Sequence, residues 1–123
     1  MPLYMTQFAY TRDAWATLVH TPEDRSGALR ELLETAGGRL ISWYLCFGEY
    51  DGLLIYEAPD DATAGALVLA AAGHGHLSAT KTTPLFDGEQ STEMMSRAQS
   101  MAFRSPGAQE GKLPQAPSLK TRH

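Results

Sequence analysis

The stretch RLISWYLCFGEYDGLLIYEAPDD, residues 39–61, holds two apolar segments on either side of GEYD and closes on Pro59 and two aspartates. Trp43, Tyr44, Phe47 and Tyr56 stand among leucines and isoleucines in these segments, a composition that suits strands. A polar turn bracketed by Gly48 and Gly52 then predicts a β-hairpin, with strands over 39–47 and 52–58. Pro59 ends the second strand, since it has no N–H for a ladder. Asp60 or Asp61 can cap a helix immediately afterwards.

Working toward the N-terminus, Gly37-Gly38 stops a helix whose apolar stripe is Ala28, Leu29, Leu32, Leu33 and Ala36. Thr21 is its expected cap, Pro22 its first residue, and Asp24 a carboxylate suited to a helix N-terminus. Before it, TRDAWATLVH (11–20) opens on a capping Thr11 and carries Ala14, Trp15, Leu18 and Val19 at helical spacing. PLYMTQFAY (2–10) is an aromatic-rich first strand. Toward the C-terminus, an alanine-rich helix closes at Gly73 and Gly75, and HLSATKTT (76–83) is a fourth strand ended by Pro84. DGEQSTEMMSRAQSMAF (87–103) places Met94, Ala98 and Met101 on one side of a last helix. Residues 104–123 are rich in proline, glycine and polar side chains, so the expectation is one domain over 1–103 and a flexible basic tail over 104–123.

With the two early helices counted as one layer element, the order is β-α-β-β-α-β. That is the ferredoxin-like α+β arrangement, a four-stranded antiparallel sheet with its helices on one face. Strict alternation in the second strand puts Ile41, Trp43, Leu45 and Phe47 on one side and Leu40, Tyr44 and Cys46 on the other. The first strand sets Leu3, Met5 and Ala9 against Tyr4, Phe8 and Tyr10. A sheet with one wet face would alternate apolar with polar, and this one does not. The second face therefore predicts a cover. The last helix can supply part of it and a second copy of the chain more, so a homodimer is expected and a higher oligomer stays open.

Composition narrows the function classes. The chain has 123 residues, 43% of them hydrophobic, and a net charge of −4. That length suits one domain with its own core. One cysteine, Cys46, excludes an internal disulfide framework. The N-terminus lacks a basic and apolar leader pattern, and the longest apolar run, ALVLAAA (66–72), is too short to span a bilayer. A cytoplasmic protein without a membrane role is the expectation. Arg104, Lys112, Lys120 and Arg122 make the tail basic, which leaves the body acidic and unsuited to nucleic acid.

Hairpin and fourth strand together carry a resemblance to the GYD domain family, a branch of the dimeric α/β-barrel superfamily. The matching residues are FGEYD (47–51), APDD (58–61) and TKTTPL (80–85), with TPEDR (21–25) and GGRL (37–40) in the expected order. The resemblance covers roughly residues 3–95 and implies ferredoxin-like subunits that pair sheet to sheet. It implies no settled activity. Gly52 departs from the apolar strand residue usual there, which suggests a looser hairpin. GEYDGLLIYEAPD is also similar, more faintly, to the hairpin of Lrp/AsnC-type ligand-binding domains, which bind amino acids near this turn in an oligomer.

Several side chains are candidates for chemistry. Tyr50 and Asp51 either complete the turn or offer a phenol and a carboxylate to a small polar ligand. His74 and His76 of GHGH either sit exposed in a loop or, if extended, point the same way; without a third ligand in view, no metal site is expected. Lys81 is an edge-strand lysine or a cation for an anionic ligand. Trp43 is core or a pocket wall, and Cys46 reads as an inert buried thiol. The function expected is a small homodimeric module that binds a partly apolar metabolite without a cofactor, near the GEYD hairpin or between sheet and helices. The alternative is a cofactor-free enzyme of monooxygenase, isomerase or lyase type acting on an aromatic or polyketide-like molecule. There His74, His76 or Asp51 would take a proton while Tyr50 or Lys81 steadied the developing anion. A structural partner protein that works through its tail is a third possibility.

Overall fold

The structure, a computed structural model, describes residues 1–107. The chain divides into two units, Met1–Leu85 and a second that begins at Phe86. The tail expected over 104–123 lies outside the described residues from position 108 onward.

The first unit runs β1 (Leu3–Tyr10), α1 (Arg12–His20), α2 (Ser26–Thr35), β2 (Arg39–Leu45), β3 (Gly52–Glu57), α3 (Asp61–Ala72) and β4 (Leu77–Leu85). The strands form one antiparallel sheet in the order β2-β3-β1-β4, the ferredoxin-like topology expected. The second unit holds α4 (Gly88–Gln99), opened by a capping box in which Asp87 and Gln90 satisfy each other's backbone N–H. Among the described residues no helix is long and apolar enough to cross a membrane.

Local chemistry explains most of the boundaries. Thr11 caps α1 by accepting from the Ala14 N–H. Thr21 ends α1 by donating its N–H to Thr17, so it is not the cap of α2. The chain instead turns through Asp24, whose side chain accepts from the Ser26 N–H, and α2 starts four residues beyond Pro22. Gly38 N–H reaches the Leu33 carbonyl and Gly37 N–H that of Glu34. This is a Schellman closure, and it needs the left-handed conformation of Gly37, φ +81°. Pro84 lies inside β4 rather than after it, tolerated because β4 is an edge strand.

The core lies between sheet and helices. Tyr4, Phe8, Leu54 and Tyr56 from the central strands meet Leu33 of α2 and Ala64 and Leu67 of α3. The Tyr4 and Tyr56 rings stack at 5.7 Å, and Phe8 lies 6.4 Å from Trp43. In β2 the alternation expected from sequence fails. Leu40 pairs with Tyr56 but Trp43 pairs with Leu54, so three residues of β2 span two of β3. A bulge at Ile41 therefore turns Leu40 and Trp43 to the same, helix-covered face. The opposite face carries Leu3, Met5, Leu53, Ile55 and Tyr44, an apolar centre among the polar Gln7, Ser42, Lys81 and Thr83 and the Arg39–Glu57 ion pair.

Tyr4 also anchors α3. Its hydroxyl donates to the Asp61 carboxylate at 2.5 Å, across 57 residues of chain. That bond, and then burial, push its pKa from 10.0 up to about 12. A raised folded-state value means that the stabilisation is complete below pH 10 and is lost as pH rises from 10 to about 12. The urea midpoint of the wild type should accordingly fall toward that of Tyr4→Phe over this window. A gap between the two that stays constant with pH would show that Tyr4 does not hold its proton through Asp61.

Candidate functional site

The two main helices stand apart on the sheet, α2 packing against β2 and α3 against β4. Leucines of α2 and α3 cover part of β1 and β3, and short side chains stand over the rest. Ala28 of α2, Ala14 of α1 and Ala71 of α3 face the gap, and α3 as a whole is ATAGALVLAAA after its first residue. Side chains of that size cannot fill the space over a sheet, and a cavity of about 420 Å³ results. That lies within the usual range for small-molecule sites, about 300–1,000 Å³.

Its walls are apolar, with Phe8, Leu29, Leu33, Leu54, Leu67 and Val68 prominent. Polar groups enter at two places. On the floor, the Thr6 hydroxyl lies 2.8 Å from Tyr56 Oη and 2.8 Å from Thr82 Oγ1. Burial raises the Tyr56 pKa, against the lowering effect of its bonds to Thr6 and Thr82, so the phenol is neutral and can donate at ordinary pH. At the open end stand Glu23 and Arg25 of the α1–α2 connection and His74 and His76 of the α3–β4 turn. Arg25 directs Nη1 to Glu23 at 3.1 Å. Tyr10 is close by, its pKa raised by burial and lowered in part by Arg25.

Of the residues singled out from sequence, His74 and His76 line this cavity together. They flank Gly75, at φ +78°, in a turn rather than an extended segment, so they do not stand side by side as strand neighbours would. Among the described residues, no group of three or more histidine, cysteine or acidic side chains could hold a metal ion.

The others lie elsewhere. The hairpin loop spans residues 46–51, longer than GEYD, and is closed by Cys46 N–H on the Asp51 carbonyl at 2.8 Å. Asp51 Oδ2 accepts from the Tyr10 N–H at 2.8 Å and from Trp15 Nε1 at 3.1 Å. Its own N–H donates to the Phe8 carbonyl. Asp51 thus ties the hairpin to β1 and α1, rather than bonding only within its own turn. Tyr50, half-buried in the same loop, has its carbonyl held by the Cys46 thiol at 3.3 Å. Lys81 pairs with Gln7 on the sheet face away from the cavity, while its neighbour Thr80 lines it. Trp43 borders a shallower groove with Pro22, Asp24 and Arg30, and its buried Nε1 lacks an acceptor among the described residues. Thr6, Tyr56 and Arg25 were not singled out from sequence. Thr6 left one signal, a hydroxyl among aromatics at an inward position of YMTQFAY.

Fold and cavity define a ferredoxin-like α+β protein with an internal, mainly apolar site between sheet and helices. The GYD domain matches residues 4–95, and the chain belongs to the GYD domain family. It is 33% identical over 75 residues to the glutamine synthetase and cystathionine beta-lyase binding protein of Thermus thermophilus, a stretch covering 61% of this chain and 79% of that protein. It is also similar to the crystal structure of a protein of unknown function from Nitrosomonas europaea. There the TM-score is 0.41 at 16% identity, over 71% of this chain and 90% of that one.

Proposed function

We propose that this protein is a small homodimeric module of the cytoplasm that binds a small, partly apolar metabolite in the cavity between sheet and helices. The cavity itself carries the reading: about 420 Å³ with apolar walls and a floor of bonded hydroxyls. Apolar walls supply affinity through burial, at about 25 cal/mol per Å² removed from water, and the few polar groups orient the guest. The hairpin is the less favoured location, because the Asp51 carboxylate already serves two donors. Support for the dimer is the apolar character of the other sheet face, with Met5, Leu53 and Ile55 near its middle.

A second reading, docking to a partner enzyme, draws support from two observations. The Thermus relative is described as a binding protein for two enzymes. Ile41, Tyr44, Leu45 and Phe47 are also exposed along β2 and the loop after it, Phe47 at 98%. Exposed apolar side chains in such number are common at interaction surfaces.

The test fills the cavity. Metabolites that raise the melting temperature of the wild type should raise it little or not at all in Ala71→Trp and Val68→Phe, provided both variants still melt cooperatively. Undiminished shifts in both variants would place the ligand outside the cavity and end this reading.

A further inference from the structure

The donors at the cavity's open end are gathered on one side, and that arrangement says what kind of ligand suits it. Tyr10 pairs with Leu77 across β1 and β4, and the His76 carbonyl accepts from the Thr11 N–H at 2.9 Å. His76 is therefore fixed beside the Tyr10 end of the sheet. Arg25 lines the same cavity as Tyr10, its Nη1 on Glu23. His74 lies on the other side of the same turn and lines the same cavity. Arg25, His74 and His76 all offer N–H donors, and Arg25 gives only Nη1 to Glu23 among the described residues. Glu23 is the one carboxylate among the lining residues. Apart from Thr17 and Thr80, the lining beyond this end is aliphatic and aromatic as far as the Thr6–Tyr56 hydroxyls.

From this we infer that the ligand is an apolar carboxylic acid, its carboxylate at the Tyr10 end against Arg25, His74 and His76 and its hydrocarbon body running over Phe8 and Leu54. The inference rests on the cavity being the binding site. Tyr10 lies four positions from Thr6 along β1, roughly 13 Å at strand spacing, enough for an extended chain of about ten carbons. A neutral molecule of the same shape would bury the same hydrocarbon yet leave these donors without a charged acceptor. Charge-assisted hydrogen bonds are the stronger kind, so the acid should be preferred.

The experiment is calorimetric titration of the full chain with n-decanoate and with 1-decanol at neutral pH. Decanoate is expected to bind about tenfold more tightly than decanol, the worth of one charge-assisted bond. In His74→Gln/His76→Gln and in Arg25→Gln the advantage should shrink while decanol binding holds. Ala71→Trp should remove both ligands. Equal binding of acid and alcohol, still blocked by Ala71→Trp, overturns the carboxylate assignment and leaves the cavity as a site. Binding of neither probe overturns the assignment too, and unchanged metabolite-induced melting shifts in Ala71→Trp would remove the cavity reading beneath it.

Discussion

Gly52→Val is expected to destabilise the fold by about 3 kcal/mol, the upper end for forcing extra carbon into a packed core. Gly52 pairs with Phe8 across β3 and β1, and both are buried. A Cβ at position 52 would overlap Phe8 Cζ and come within 2.9 Å of Cε2 and 3.0 Å of Cε1. The ring has little room to retreat, because Tyr10 and Trp43 pack on it at 5.2 and 6.4 Å. The glycine is thus a seat for an aromatic ring, and the hairpin is not loosened by it as the sequence suggested. Phe8→Ala alone should cost about 3–5 kcal/mol through the cavity it leaves. Combined with Gly52→Val, the loss should fall well short of the sum, since the valine occupies space the ring vacated. Urea unfolding of the two single variants and the double variant measures this directly. A Gly52→Val midpoint equal to wild type, or strict additivity, would contradict the packing described.

Asp51→Ala should cost about 2–3 kcal/mol, because it strands two donors at once, the Tyr10 backbone N–H and the Trp15 indole. Asp51→Asn keeps one acceptor oxygen and should recover part of that loss. Trp15 gives the readout, since its fluorescence should change on loss of the carboxylate and follow the same unfolding midpoint. The pair of variants also separates structure from binding. If Asp51 is a brace, Asp51→Asn lowers stability and leaves ligand affinity near wild type. An Asp51→Asn protein with unaltered stability and no ligand-induced melting shift would instead make Asp51 a ligand contact.

Architecture was legible in the sequence where local chemistry acts alone. Strands announced themselves through LYMTQFAY and GLLIYE, α3 through Asp60, and the end of α2 through Gly37-Gly38. What stayed hidden depends on a second element. LISWYL is apolar at nearly every position, so either register buries something, and only pairing with Tyr56 and Leu54 reveals the bulge at Ile41. Thr21-Pro22 is a sound helix start in isolation, yet the Thr21 N–H is taken by Thr17. The histidines were visible as GHGH, but nothing local ties them to Arg25, about fifty residues earlier in sequence. Thr6 and Tyr56 looked like ordinary strand residues, because a hydroxyl floor exists only once β1 and β3 pair.

The alanines of α3 carry one more consequence. The sheet residues beneath the gap hold each other in register, whereas Ala71 and Val68 meet the cavity from a helix. Single exchanges along α3 would then re-tailor which guests are admitted, with small effect on the scaffold. Selectivity and foldedness would be written on separate parts of the chain, free to drift independently.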